Sequence, residues 1–218
     1  MIVAARTEGE KNDTSGITLF LVESDHQDVE ITKTSMVDSR NAANIKFNDV
    51  AVSSENIIGE ENNGASVLEV VLDRAQIAIS AEMLGNASQA FDLTLEYLKE
   101  RKQFGAVIGT FQALQHRAAE MYSELELTKS SVIAACNAVD QNSNDLRRMA
   151  SLAKFKSGET NYLITNEAIQ MHGGVGVTDE YDVGLFMKRA RVTEQIFGNS
   201  EYHICLLYTS DAADEGLG

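Results

Sequence analysis

Proline is absent from this chain of 218 residues, and basic residues are few. Because proline is poorly tolerated inside helices, its absence favours a protein built on long helices. The 18 lysines and arginines are outnumbered by 33 aspartates and glutamates, which gives a formal net charge of -15. Nucleic acids and anionic membrane surfaces are bound by clustered basic residues, so this balance argues against both as partners.

Cysteine is also scarce, since the chain contains only Cys136 and Cys205. Neither shows CxxC spacing, and His203 alone beside Cys205 falls short of the four ligands of a structural zinc site, so we expect free thiols in a reducing compartment. No apolar run reaches the roughly 18 residues that a membrane span needs. The N-terminus lacks the basic-then-apolar order of a signal peptide. The sequence therefore predicts a cytoplasmic protein without membrane insertion.

The first sixty residues carry the pattern of short β-strands. β-branched and aromatic residues are concentrated in four segments, residues 2–6, 17–23, 29–36 and 42–50. The polar stretch 7–16 between the first two predicts a hairpin. Met1 opens directly into the first strand-like segment, so we expect that earlier strands of this sheet are missing.

After Gly59 the spacing of apolar residues changes from that of strands to that of helices. Helices are predicted over residues 64–101, 111–140, 143 or 144 to 172, and 182–195, with Ser143 or Asn144 as N-cap. Three long helices and one short helix suggest an antiparallel four-helix bundle. The predicted fold class is therefore α+β.

We expect three regions along the chain. Residues 1–58 form a partial middle β domain, and residues 59–203 form a C-terminal four-helix bundle. Residues 204–218 continue no pattern, and they are either a frayed tail or a translated cloning or sequencing artefact.

Three motifs stand in the helical half. LDRAQIAISAEMLG (72–85) sets an acid beside an arginine early in the first helix, and ERKQFGAVIGTFQALQH (100–116) sets cations beside a helix start, where anions bind. AIQMHGGVGVTDEY (168–181) contains glycines that let the backbone approach a ligand closely. Each motif alone also fits a solvated helix face, an ordinary helix connection or a helix C-cap.

Taken in this order and at these spacings, the motifs resemble those of the acyl-CoA dehydrogenase family. GITLFLVESD and IKFNDVAVSSENIIGEENNGASVL resemble passages of the family's β domain, although Ser53 stands where the family usually has proline. The resemblance covers residues 2–203. It implies an FAD-dependent oxidoreductase that desaturates acyl-CoA thioesters and passes electrons to an electron-transfer flavoprotein. It also implies a homodimer or homotetramer, and a chain that lacks the N-terminal helical domain and would be inactive alone.

The resemblance also implies roles for individual residues. The ERKQFG motif implies that Arg101, Gln103 and Phe104 contact an FAD molecule that is bound mainly by a neighbouring subunit. Further cofactor contacts are implied for Gln112, Gln170, Gly173, Gly174, Asn199 and Glu201. Arg74 matches an arginine near the CoA moiety.

The catalytic base is the point at which the chain departs from most of the family. Most relatives carry a glutamate in a YEGT-like motif, but here Phe197 or Gly198 holds that position, and neither accepts a proton. A minority carries the base directly before the arginine of the first helix, which here is Asp73. Two interpretations stay open: Asp73 is the base, or the chain is a non-catalytic FAD-binding partner subunit of a heteromeric enzyme.

Overall fold

The computed structural model describes the backbone of residues 1–214 and the side chains of residues 1–209. The strands within this range are β1 (Ile2–Arg6), β2 (Ile17–Leu21), β3 (Val29–Ser35), β4 (Asn41–Phe47), β5 (Ile57–Ile58), β6 (Lys102–Gln103) and β7 (Ala106–Val107). The helices are α1 (Gly64–Glu100), α2 (Gln112–Asp140), α3 (Leu146–His172), α4 (Val183–Gln195) and α5 (Ser200–Asp214). The predicted α+β class is confirmed.

The first of two compact units comprises Met1–Leu72, and the second begins at Asp73. In the first unit β1 pairs antiparallel with β2, and β2 pairs antiparallel with β5. The hairpin predicted from the polar stretch 7–16 is therefore present. All four predicted strands form within a few residues of their expected limits. The expected domain boundary after residue 58 stays a prediction.

Strands β3 and β4 form a separate antiparallel ribbon in the first unit. The register places Val29 opposite Phe47 and Ile31 opposite Ile45. Because side chains two residues apart on a strand share a face, these four apolar residues lie on one face of the ribbon. Ile31 is 46% and Ile45 43% exposed, so part of this apolar face is open to solvent.

The second unit is built on the long predicted helices, whose limits agree with the sequence to within a few residues. The predicted N-cap of α3 is wrong, because Asp145 holds that position rather than Ser143 or Asn144. The Ser143 hydroxyl instead accepts a hydrogen bond from the Asp145 N–H at 3.1 Å. It thereby stabilises the turn before the helix rather than the helix end.

Helix α3 is the central element of the second unit and packs against α2, α4 and α5. Small residues such as Ala150, Ala153 and Ala168 are fully buried along it, which lets neighbouring helices approach closely. The larger apolar cluster joins α1, α2 and α3 through Ala87, Ala90, Phe91, Tyr97, Leu98, Met121, Leu125, Ile164 and Met171, among others. A hydrogen bond of 2.7 Å between Thr128 and Thr160 also joins α2 to α3.

A fifth helix, α5, was not predicted from the sequence. Asn199 precedes it, and its side-chain oxygen accepts a hydrogen bond from the Tyr202 N–H at 2.9 Å, as an N-cap residue does. Residues 204–214, expected to follow no pattern, continue this helix, and the last four residues of the chain lie outside the described range. Within the described residues, no helix has the length and hydrophobicity that crossing a bilayer requires.

Candidate functional site

The ERKQFG motif forms a tight hairpin between α1 and α2. Strands β6 and β7 pair so that only Phe104 and Gly105 form the turn, with φ values of 54° and 77°. Two positive φ values define a type I′ turn, which glycine adopts freely and phenylalanine adopts only with strain. Phe104 is nevertheless 89% exposed, in ring contact with Phe111 at 6.3 Å. The hairpin thus places the Phe104 ring on the surface, where a ligand or another subunit can contact it.

Arg101 lies at the base of this hairpin and is exposed, as is Gln103. The surface position expected of Arg101 and Phe104 is therefore observed, while their contact with FAD stays a prediction. Gln112 is exposed as the first residue of α2. The N-cap residue Phe111 gives the first turn no side-chain hydrogen bond, so an acceptor from outside the chain can reach this helix start.

A cleft of about 310 Å³ brings the second motif and the third motif together. Its lining includes Tyr97 and Arg101 from the end of α1 and Tyr181 from the end of the third motif; Leu93, Glu96 and Glu100 complete it. Tyr97 stacks on His172 with ring centroids 4.3 Å apart, and its hydroxyl donates to the His172 carbonyl oxygen at 3.2 Å. The stack and the hydrogen bond hold the last turns of α1, directly before the second motif, against the third motif.

The third motif ends α3 with a sharp glycine turn. Gly173 has a φ of 65° and its N–H bonds back to Gln170 and Ile169, which closes the helix as a C-cap. A Cβ atom on Gly173 or on Gly174 would meet nothing within 4 Å, so the backbone here faces open space. Gln170, Gly173 and Gly174 are all exposed. A ligand can therefore approach this backbone closely.

Asp73 and Arg74 lie on α1, near the N-terminal end of the helix. The Asp73 side chain is half-buried and the Arg74 side chain is exposed. The expectation that this pair faces Phe197 and Gly198 stays a prediction.

The turn that contains Phe197 and Gly198 joins α4 to α5. Both residues have positive φ, 59° and 98°. Asn199 is half-buried and uses its side-chain oxygen to cap α5, whereas Glu201 is exposed in the first turn of that helix. Asn199 thus caps the helix, Glu201 is an acid in its first turn, and contact of either residue with FAD stays a prediction.

Sequence reasoning missed the polar residues that hold this turn. Lys154, Glu194 and His203 come from α3, α4 and α5, and their side chains bond to the turn or to the helix that follows it. A signal for Lys154 was available. It lies four residues after Ala150 and four before Gly158, and both neighbours belong to the inward face of α3.

Two buried histidines should make the free energy of unfolding depend on pH. Burial lowers the pKa of both His172 and His203, against opposing hydrogen bonds to the carbonyls of Ala168 and Phe197. At any pH between the lowered pKa values of the folded chain and the unfolded-state pKa of about 6.5, the unfolded chain binds more protons than the folded chain. The free energy of unfolding should therefore be at its full value above about pH 6.5 and fall as the pH drops below it.

Urea unfolding between pH 8 and pH 5 checks this dependence. His172→Gln should flatten the acid side of the profile, whatever it does to stability at pH 8. The same change at His116, which is exposed on α2, provides the matched control. If both variants and the unmodified chain lose stability equally between pH 6.5 and pH 5, His172 is not a cause of the loss.

Comparisons with known proteins agree with these motifs. Residues 62–209 match the family model described as acyl-CoA dehydrogenase, C-terminal domain. The chain is 35% identical to the probable acyl-CoA dehydrogenase YngJ of Bacillus subtilis over 92% of its length and 53% of that protein. It is 34% identical to the caffeyl-CoA reductase-Etf complex subunit CarC of Acetobacterium woodii, again over 92% and 53%.

Among solved structures, butyryl-CoA dehydrogenase from Megasphaera elsdenii superposes with a TM-score of 0.89 at 28% identity. The match covers 96% of this chain and 55% of the enzyme. The chain thus spans about half the length of the curated relatives it matches. The family model covers most of the chain, and on this ground the chain belongs to the acyl-CoA dehydrogenase family, as its three motifs predicted.

Proposed function

We propose that this chain supplies the C-terminal part of an FAD-dependent acyl-CoA dehydrogenase, which catalyses the α,β-dehydrogenation of an acyl-CoA thioester. The observation that carries the proposal is the cleft in which the ERKQFG motif and the glycine motif meet, with Arg101 and Tyr181 in its lining. Acyl-CoA dehydrogenases are FAD-dependent flavoproteins, which supports FAD as the cofactor.

Exposed residues of the two motifs, Arg101 in the cleft and others outside its lining, fit such a cofactor. Arg101 offers an exposed guanidinium, whose planar fork matches a diphosphate with two hydrogen bonds. Phe104 offers an exposed aromatic face for a flat ring. Gly173 and Gly174 leave open space where side chains would stand. Gln103, Gln112 and Gln170 add exposed amides that can donate and accept hydrogen bonds.

The reaction removes a proton from Cα of the thioester and a hydride from Cβ, and FAD when bound supplies the hydride acceptor. The residues of this chain contribute the acid–base step of the reaction. Asp73 takes the α-proton, which requires its carboxylate to be ionised and within hydrogen-bond reach of that carbon. Arg74, exposed beside it on α1, binds the phosphate-bearing CoA moiety.

The second candidate is a non-catalytic FAD-binding subunit of a heteromeric acyl-CoA dehydrogenase. It is favoured by Phe197 and Gly198, which place no proton acceptor where most of the family carries glutamate. The two candidates differ in the activity of the full-length protein purified alone. A catalytic chain reduces a dye in the presence of acyl-CoA, whereas a partner subunit does so only with its second chain present.

Other parts of the proposal concern assembly and location. We propose an antiparallel four-helix bundle formed by α1 to α4, supported by the packing of α3 against α2 and α4. A homodimer or homotetramer is supported by the exposed Arg101 and Phe104, and the second candidate implies a heteromer. An electron-transfer flavoprotein is the proposed electron acceptor, in line with the Etf complex named for the relative from Acetobacterium. The cytoplasm is the compartment expected from the sequence.

Arg101→Ala tests the cofactor site directly. Loss of a charge-assisted hydrogen bond of about 1.5–3 kcal/mol should weaken FAD binding roughly 10- to 150-fold in the full-length protein. The measurement is the dissociation constant for FAD, followed by flavin fluorescence on titration into apoprotein.

Arg148→Ala on α3 provides the matched control, since Arg148 is exposed and lies in none of the three motifs. Its affinity for FAD should equal that of the unmodified protein. Equal affinities in all three proteins would remove Arg101 from the cofactor site.

A further inference from the structure

Lys154 is a lysine with no exposed surface, on a helix face made of small residues. Removing an ammonium group from water is costly unless it gains strong hydrogen bonds. Lys154 Nζ donates to the carbonyl oxygen of Gly198 at 2.8 Å and to that of Glu194 at 3.1 Å. Burial lowers the pKa of Lys154, and the nearby Glu194 carboxylate opposes this shift. The Lys154 ammonium thus bonds to the end of α4 and to the turn that follows it.

Glu194 acts on the other end of the same turn. Its Oε1 atom accepts a hydrogen bond from the Ser200 N–H at 2.7 Å, at the start of α5. The carboxylate and the Ser200 hydroxyl lie against Gly158 of α3, where a Cβ atom would overlap with both. Glycine at position 158 is therefore what allows the carboxylate to sit between Lys154 and the start of α5.

His203 holds the turn from the side of α5. Its Nε2 atom lies 3.0 Å from the Phe197 carbonyl oxygen, and because a carbonyl only accepts, Nε2 carries the proton. His203 is fully buried. The carbonyls of Glu194, Phe197 and Gly198 are thus each bonded to a buried side chain.

These bonds fix a backbone that would not adopt this shape unaided. Phe197 has a φ of 59°, a conformation that is unfavourable for a bulky residue. Such conformations persist when the surroundings determine them, as three bonds from two helices do here. The direction in which the Phe197 side chain leaves the backbone is fixed as a result, and this side chain is 41% exposed.

We propose that Lys154, together with Glu194 and His203, is a positioning residue that holds the turn 196–199 as a fixed wall of the acyl-CoA site. This inference rests on the proposed function. The turn stands where most relatives carry the catalytic glutamate, and in this chain it carries none. Its contribution is to keep the reacting carbons in place against the base, and a displacement of about 1 Å can lower a rate about 10²-fold.

Lys154→Met removes the ammonium group that donates both hydrogen bonds and keeps nearly the length of the side chain. In the 218-residue chain without cofactor, we expect the Ile196 and Ser200 amides, which bond to the Thr193 carbonyl and to Glu194 Oε1, to exchange hydrogen at least about 10-fold faster, measured by NMR or mass spectrometry. Amides in the middle of α2 should keep their rates. Lys156→Met is the matched control, because Lys156 lies on the same helix and pairs with Glu124 of α2 rather than with the turn.

The second measurement is made in the full-length protein with FAD bound. Lys154→Met should lower kcat for acyl-CoA about 10- to 100-fold with little change in KM or in FAD content, and Lys156→Met should lower neither. If Lys154→Met does not fold, His203→Leu, which removes one of the three bonds, is measured in the same two ways, with a smaller increase in exchange expected.

Unchanged exchange at the turn in a folded variant would overturn the positioning role. Faster exchange with unchanged kcat would overturn the assignment of the turn to the acyl-CoA site. An unmodified protein that binds FAD but never oxidises acyl-CoA contradicts the proposed function instead, and the exchange result still decides whether Lys154 holds the turn.

Discussion

Replacing Asp73 by asparagine is expected to lower turnover of acyl-CoA about 10²- to 10⁴-fold, the usual effect of losing a general base. Asparagine keeps the size of the side chain and its place on α1 but cannot take a proton at neutral pH. FAD content should stay unchanged, because the proposed cofactor contacts lie in other parts of the chain. Steady-state kinetics of dye reduction, combined with the flavin absorbance of each preparation, gives both quantities.

Two further variants test whether Asp73 acts as the general base or only lies near the site. Asp73→Glu should keep or raise activity, since glutamate restores the length of the base found in relatives that use this helix. Asp92→Asn, at an exposed position on the same helix, should leave kcat as it is. Full turnover of Asp73→Asn with FAD bound would show that Asp73 is not the base. The partner-subunit interpretation would then apply only if the unmodified protein needs a second chain for activity.

Replacing Ile164 by alanine is expected to lower the free energy of unfolding by about 2–5 kcal/mol. Ile164 has no exposed surface and packs at the centre of the cluster that joins α1, α2 and α3. The substitution removes apolar contacts and leaves a cavity that surrounding helices close only in part. Urea unfolding followed by circular dichroism measures the change.

Ile133→Ala is the matched control, because it deletes the same atoms from a side chain on α2 that is 51% exposed. A surface change of this kind usually stays within about 0.5 kcal/mol. Equal losses in the two variants would mean that the cluster around Ile164 is not the core of the second unit.

The regular elements could be predicted because their signals are local. Alternation of apolar and polar residues in segments such as 17–23, and helical spacing after Gly59, each appear within one short window. Helix α5 escaped because it begins directly after a turn and carries no clear apolar stripe. Its start depends on the Asn199 cap, a contact of one side chain that apolar spacing does not reveal.

The sequence pointed to exposed residues of the candidate site, whose roles stay predictions, and missed the buried residues that hold the turn 196–199. Arg101, Phe104 and Gly173 lie in compact motifs, so a resemblance could point to them residue by residue. Lys154, Glu194 and His203 are separated by as many as 49 positions and meet only once three helices have packed. Lys154 and His203 are completely buried, and no short stretch of sequence specifies that burial.

The β3–β4 ribbon is a site at which this chain can aggregate. Its apolar face, with Ile31 opposite Ile45, combines high β-propensity with partial exposure, and within the described residues the ribbon has two strands and hence two open edges. Open edges of this kind recruit strands from other molecules and seed aggregation. Lys33, Lys46 and Glu30 act as gatekeepers along the ribbon, since pairing or stacking with a second ribbon would take their charges out of water. These three charges therefore contribute to the solubility of the chain.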